Sequence, residues 1–123
     1  LGRRLNLLAR IALLKGERLK AAQLAEQALA ANKGDGLELE RANSLRMLGT
    51  IRMQAGQLDM AREVLQEALN LDKQQAASAK IAADLEALAE LARLKGDTNL
   101  RQGYLQRAKV VRENSRILRK QEL

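Results

Sequence analysis

Cysteine, proline, histidine, tryptophan and phenylalanine are all missing from this 123-residue chain, and Tyr104 is its one aromatic residue. Each absence excludes something. Without Cys or His there is no thiol nucleophile, imidazole base, Cys/His zinc site or disulfide framework. Scarce aromatic and β-branched residues leave little material for strands. No run approaches the roughly 20 apolar residues a membrane-spanning helix needs. No h-region or small-residue cleavage pattern marks a signal peptide. The chain opens Leu1-Gly2-Arg3 without a Met. We read that as an excised or processed piece, expected to be soluble, whose compartment, cytoplasmic or exported, stays open.

What is present is helix material. Alanine and leucine account for 46 of the 123 residues, and both favour helices strongly. The net charge of +7 is uneven: residues 1–20 and 101–123 each carry +5, and residues 21–100 carry −3. Basic ends raise nucleic acid or an acidic membrane surface as partners. No basic run is longer than two residues, however, and two solvated helical ends account for the charge equally well.

Internal repetition sets the organisation. Gly16, Gly56 and Gly96 stand forty residues apart, each followed by a polar residue. In the same frame stand Leu5, Leu45 and Leu85; Leu8, Leu48 and Leu88; the small residues Ala9, Gly49 and Ala89; and Ala28, Ala68 and Ala108. Apolar residues on either side of Gly56 follow helical rather than alternating spacing. Each unit therefore reads as helix, tight turn, helix, with glycine at the left-handed residue that ends the first. The expected helices cover about 2–15, 17–32, 36–55, 57–71, 75–95 and 98–118. One domain holds three units, 1–33, 34–73 and 74–123. Asp35 is expected to cap the third helix with Glu38, and Thr98 or Asp97 the last. Asp72-Lys73-Gln74-Gln75 is the expected break before the third unit.

Leu45…Leu48-Gly49…Gly56-Gln57-Leu58…Ala61…Leu65…Ala68-Leu69-Asn70-Leu71 resembles a tetratricopeptide repeat. The first unit is similar through Leu5, Leu8-Ala9, Gly16, Ala21, Leu24 and Ala28-Leu29. The third departs further, with Arg101 where a small residue is expected. The forty-residue period is longer than the family's usual thirty-four, and the closing proline and the family's aromatic residues are missing. The resemblance implies an all-α, right-handed superhelical solenoid of three antiparallel helix pairs, with the first helix of each pair on a concave side. It implies a non-catalytic protein-binding module: a scaffold, an adaptor or the sensor segment of a larger protein.

By that resemblance the groove-facing positions are Arg3, Asn6 and Arg10; Asn43, Arg46 and Thr50; and Ala83, Glu86 and Glu90. Helical spacing agrees, since these lie opposite the leucine stripe. The groove so drawn is basic in its first two units and acidic in the third, which suits a protein or peptide segment with an acidic part. The same residues are also ordinary on a solvated helix face. Glu86 and Glu90 lack the third ligand, base or nucleophile that a metal site or acid–base pair needs. Gly34-Asp35-Gly36 is too short to cradle phosphate. No enzyme activity, cofactor, metal or small-molecule substrate is expected. Nucleic acid is the alternative partner, disfavoured by the single aromatic residue. Membrane binding is disfavoured by the lack of aromatic anchors.

The last helix carries the stripe Leu100, Tyr104, Ala108, Val111, Ser115 and Leu118, widened by Leu105, Val110 and Ile117. Arg101, Arg107, Arg112, Arg116 and Arg119 fill the rest. That is more apolar surface than a terminal cap requires, so this helix is a candidate for self-association or for receiving another repeat.

Overall fold

The computed structural model describes residues 1–122, without the side chains of Leu118, Arg119, Gln121 and Glu122; the predicted roles of Leu118 and Arg119 lie outside the described residues. Six α-helices and no strand are present among the described residues: α1 (Gly2–Leu14), α2 (Arg18–Ala31), α3 (Glu38–Gln54), α4 (Leu58–Gln74), α5 (Ser78–Leu94) and α6 (Thr98–Glu122). The fold is all-α.

The helices form because apolar residues recur three and four apart and find a partner face. Ala42, Leu45, Leu48 and Ile51 line one side of α3, and Ala82, Leu85, Leu88 and Leu91 line the same side of α5. Within pairs, α1 packs on α2, α3 on α4 and α5 on α6. Between pairs, α2 packs on α3 and α4 on α5. The first helices also touch in series, α1 to α3 and α3 to α5, whereas among the described residues α1 reaches neither α5 nor α6. The core is thus a row of local interfaces. Ala61, Leu65 and Leu69 of α4 pack against the α5 leucines, and Ala21 and Ala25 of α2 pack against Leu48 and Ile51 of α3. Small residues permit close approach within pairs: Ala9, Ala28, Ala68, Ala89 and Ala108 are all buried.

Four three-residue turns share one geometry. The N–H three residues past the helix end bonds to the carbonyl five residues back: Glu17 to Ala12, Gln57 to Arg52, Ala77 to Asp72 and Asp97 to Ala92, all at 2.8–3.0 Å. The middle residue must then be left-handed. Gly16, Gly56 and Gly96 are, with φ of 78° to 80°, and Ala76 is too, with φ of 50°. The break before the third unit therefore falls at Gln75-Ala76-Ala77. The expected boundary at Asp72 is corrected: α4 continues to Gln74 and buries Asp72 completely.

Asp97 accepts a hydrogen bond from the Leu100 N–H at 3.0 Å and caps α6. Asp35 caps nothing. Helix α3 starts later, after Leu37, and Glu38 turns back to accept the Gly36 N–H at 3.3 Å.

Candidate functional site

The forty-residue register places a polar cluster at each junction between helix pairs. The three contributing positions come from the first helix of a pair, its second helix, and the first helix of the next pair. At the first junction they are Asn6, Asn32 and Ser44: the Ser44 hydroxyl donates to Asn6 Oδ1 at 2.8 Å, and Asn32 Nδ2 donates to Ser44 Oγ at 3.5 Å. At the second they are Arg46, Asp72 and Asp84. Arg46 Nη2 donates to Asp72 Oδ2 at 2.6 Å, Nε to Asp84 Oδ1 at 2.5 Å and Nη1 to Asn43 Oδ1 at 3.0 Å. Both aspartates are fully buried. Within the third pair the first two of these positions are Glu86 and Arg112, and Glu86 accepts two bonds from Arg112, at 2.6 and 3.1 Å.

One arginine facing two buried acids leaves a surplus of negative charge. Asp72 Oδ1 and Asp84 Oδ2 are buried without a hydrogen-bond donor. Loss of solvation and the neighbouring Asp72 carboxylate push the Asp84 carboxyl up to about 8, with Arg46 opposing. The junction is therefore neutral when Asp84 holds a proton, and charging both carboxylates in a low-dielectric site is costly.

Beside this junction an open cavity of about 490 Å³ lies between α1 and α3, with Lys80 of α5 at its edge. Arg3, Asn6, Arg10, Asn43, Arg46 and Thr50 all line it, over apolar walls of Leu7, Leu13 and Met47. The structure thus brings together six of the residues singled out from the sequence, but most are engaged within the protein. Asn6 is buried, and its Nδ2 donates to the Glu40 carbonyl and to Glu40 Oε2 at 3.1 and 3.2 Å. Arg3 pairs with Glu40 at 3.4 Å. Thr50 bonds back to the Arg46 carbonyl. Asn43 Oδ1 accepts from both Arg46 and Lys80. Arg46, expected to grip a ligand, has its guanidinium committed to Asp72, Asp84 and Asn43. Arg10 is exposed and joins no ion pair or side-chain hydrogen bond among the described residues. Partial burial raises the Glu40 carboxyl, and hydrogen bonds from Asn6, Asn43 and Arg3 outweigh it, holding the group below the usual carboxylate range.

The acidic end of the expected groove is not assembled. Glu86 occupies the register of Arg46 and turns to α6 as Arg46 turns to α4. Glu90 pairs with Arg93 one turn away, at 2.6 Å, and hydrogen bonds from Arg93 lower its carboxyl. Neither lines the cavity. Sequence reasoning overlooked Glu40, Asp72 and Asp84. The signal for the aspartates was available, since the forty-residue frame aligns Asp72 with Asn32 and Arg112, and Asp84 with Ser44.

The chain is similar to a solved structure, BtubC (BKLC) from P. vanneervenii, with 27% identity and a TM-score of 0.83. The likeness covers 93% of this chain and 46% of that one, so this chain spans about half the length of BtubC. No family model matches the sequence, and no curated protein does. The paired-helix arrangement is thus shared with a longer helical protein.

Proposed function

We propose that the chain is a non-catalytic protein–protein interaction module of tetratricopeptide type, a right-handed solenoid that takes a peptide or protein segment against its first-helix layer. The observation that carries this reading is the cavity between α1 and α3, with unpaired Arg10 above the apolar Leu7, Leu13 and Met47. Contacts running through α1, α3 and α5, with none between α2 and α4 or α4 and α6 among the described residues, support a concave first-helix side. The ligand is a segment carrying a carboxylate for Arg10 and an apolar side chain for the wall beside it. Arg3 and Arg46 already face carboxylates, so they shape the cavity and contribute little free charge.

The test is fluorescence anisotropy with a labelled peptide of mixed Glu and Leu, and with its Lys-for-Glu counterpart. Arg10→Glu is expected to abolish binding of the acidic peptide, while Arg116→Glu on the far end of α6 leaves it nearly unchanged. Equal losses from both changes would mean diffuse attraction to a basic protein. A salt-steep gel shift with RNA, unaffected by Arg10→Glu, would favour nucleic-acid association instead.

A further inference from the structure

Helices α2 and α4 both pack on α3, and α4 and α6 both pack on α5, so the chain holds two equivalent grooves. The forty-residue frame matches them position by position. In the first, Arg41 of α3 donates to the Asn32 carbonyl at 2.8 Å, and Lys33, Glu67 and Asn70 hold the matching positions. In the second, Ile81 stands for Arg41, Val110 for Asn70 and Arg107 for Glu67, while Lys73 keeps the charge of Lys33. An arginine, an amide and an acid thus give way to two aliphatic residues and a second cation.

The second groove opens into a cavity of about 300 Å³ between α4, α5 and α6. Ile81, Leu85, Val110 and Val111 wall it, with Lys73 on one side and Arg107 on the other. No acid lines it, and neither cation joins an ion pair among the described residues. The Arg107 guanidinium lies 5.8 Å from the centre of the Tyr104 ring, which favours one position for it. These positions of a second helix stay open when another pair follows. Gln27 and Ala30 of α2, and Glu67 and Asn70 of α4, are exposed with a further pair packed behind them. The openness of Arg107 and Val110 is therefore a property of the groove.

We propose that this groove docks an acidic segment of a partner protein, which inserts one aliphatic side chain between two carboxylates. Ile81 and Val110 take the aliphatic group, and Lys73 and Arg107 each take a carboxylate from opposite walls. The volume lies at the bottom of the range of roughly 300–1,000 Å³ that holds small molecules, which suits a single side chain. A fatty acid would bring one charge to two cations. A nucleic-acid strand would bring charge enough, but its bases stack on aromatic rings, and these walls are aliphatic. No residue lines both this groove and the α1–α3 cavity, so the two surfaces are separate.

Tyr104 supplies the readout. It is the one aromatic residue of the chain and lies under Arg107, so its emission responds to a ligand here and not to one between α1 and α3. The probe is a blocked, unlabelled pentapeptide of leucine flanked on each side by two glutamates, titrated against the intact chain. A saturable change in Tyr104 emission is expected. Its midpoint should weaken by about tenfold or more on Arg107→Glu, on Val110→Glu, and when serine replaces the peptide's leucine. Circular dichroism checks that both variants stay folded. The titration is repeated with Arg10→Glu, and the Tyr104 midpoint should be the same. A midpoint moved by Arg10→Glu and not by Arg107→Glu would overturn the groove and leave the α1–α3 reading standing. An unresponsive Tyr104, or a serine peptide that binds equally well, would also overturn it. So would a tighter response to single-stranded RNA, or self-association lost on Val110→Glu, since the occupant would then be RNA or a second copy.

Discussion

Arg46 on α3 and Asp84 on α5 meet at 2.5 Å, joining the second and third helix pairs through a partly buried arginine that also holds the buried Asp72 of α4. The register-equivalent pair one unit on, Glu86 and Arg112, is about half exposed and has no third member. Burial separates the two in energy, because removing one partner of a buried pair strands a charge. Arg46→Leu should cost about 3–5 kcal/mol at neutral pH. Arg112→Ala should cost less than about 1 kcal/mol. Urea unfolding of both variants checks this, and equal losses would mean the Arg46 cluster is solvated.

The same cluster sets a pH dependence. The Asp84 carboxyl sits at about 8 in the folded chain, against an ordinary value of 3.8. The folded state therefore holds a proton that the unfolded state releases between those values. Its contribution to stability is complete below about pH 4, declines as pH rises, and is gone above about pH 8. Lys80, through Asn43, is the other cation near the cluster. Asp84→Asn imitates the protonated acid and should remove this decline in melting temperature between pH 5 and 8. A variant that keeps the wild-type slope would show that Asp84 is already ionised.

Ala76 occupies a turn position that glycine fills at 16, 56 and 96, with φ of 50°. A Cβ in the left-handed region costs roughly 1–2 kcal/mol. Ala76→Gly should stabilise the chain by about 1 kcal/mol once the extra unfolded-state entropy of glycine is counted. Gly56→Ala should do the reverse. Gly103 lies in α6 with open space around it, and Gly103→Ala should stabilise by about 0.5–1 kcal/mol. Thermal melts of the three variants test the assignment through the signs of their shifts.

Gly49 and Leu65 are matched across the second pair. A Cβ added at Gly49 would lie 2.5 Å from Leu65 Cδ2. In the first pair the equivalent residues are Ala9 and Ala25, both fully buried. Gly49→Ala should cost about 1–3 kcal/mol through overpacking, and Leu65→Ala about 2–5 kcal/mol through the cavity it leaves. The double variant recreates the alanine pair of the first unit. It should be less damaged than the sum of the two, with a coupling of at least about 0.5 kcal/mol in a double-mutant cycle. Strict additivity would show that the two positions do not share space.

The sequence by itself determined the helices, their number and their order. Spacing of apolar residues and the glycine frame are local properties, and with interfaces running only between neighbours, local pattern nearly suffices. It also placed Arg3, Asn6, Arg10, Asn43, Arg46 and Thr50 on one side of α1 and α3, because helical phase assigns each side chain to a face. Whether a polar side chain on that face is free depends on which acid or amide the next helix brings to it. Tertiary structure decided that Arg46 turns inward to Asp72 and Asp84, that Asn6 is consumed by Glu40 and Ser44, and that Glu86 and Glu90 pair elsewhere, leaving Arg10 unpaired. An Asp in a linker-like run of polar residues reads as surface until the helix is seen to continue through it. Burial then changes its chemistry, since a carboxyl taken out of water beside another acid keeps its proton.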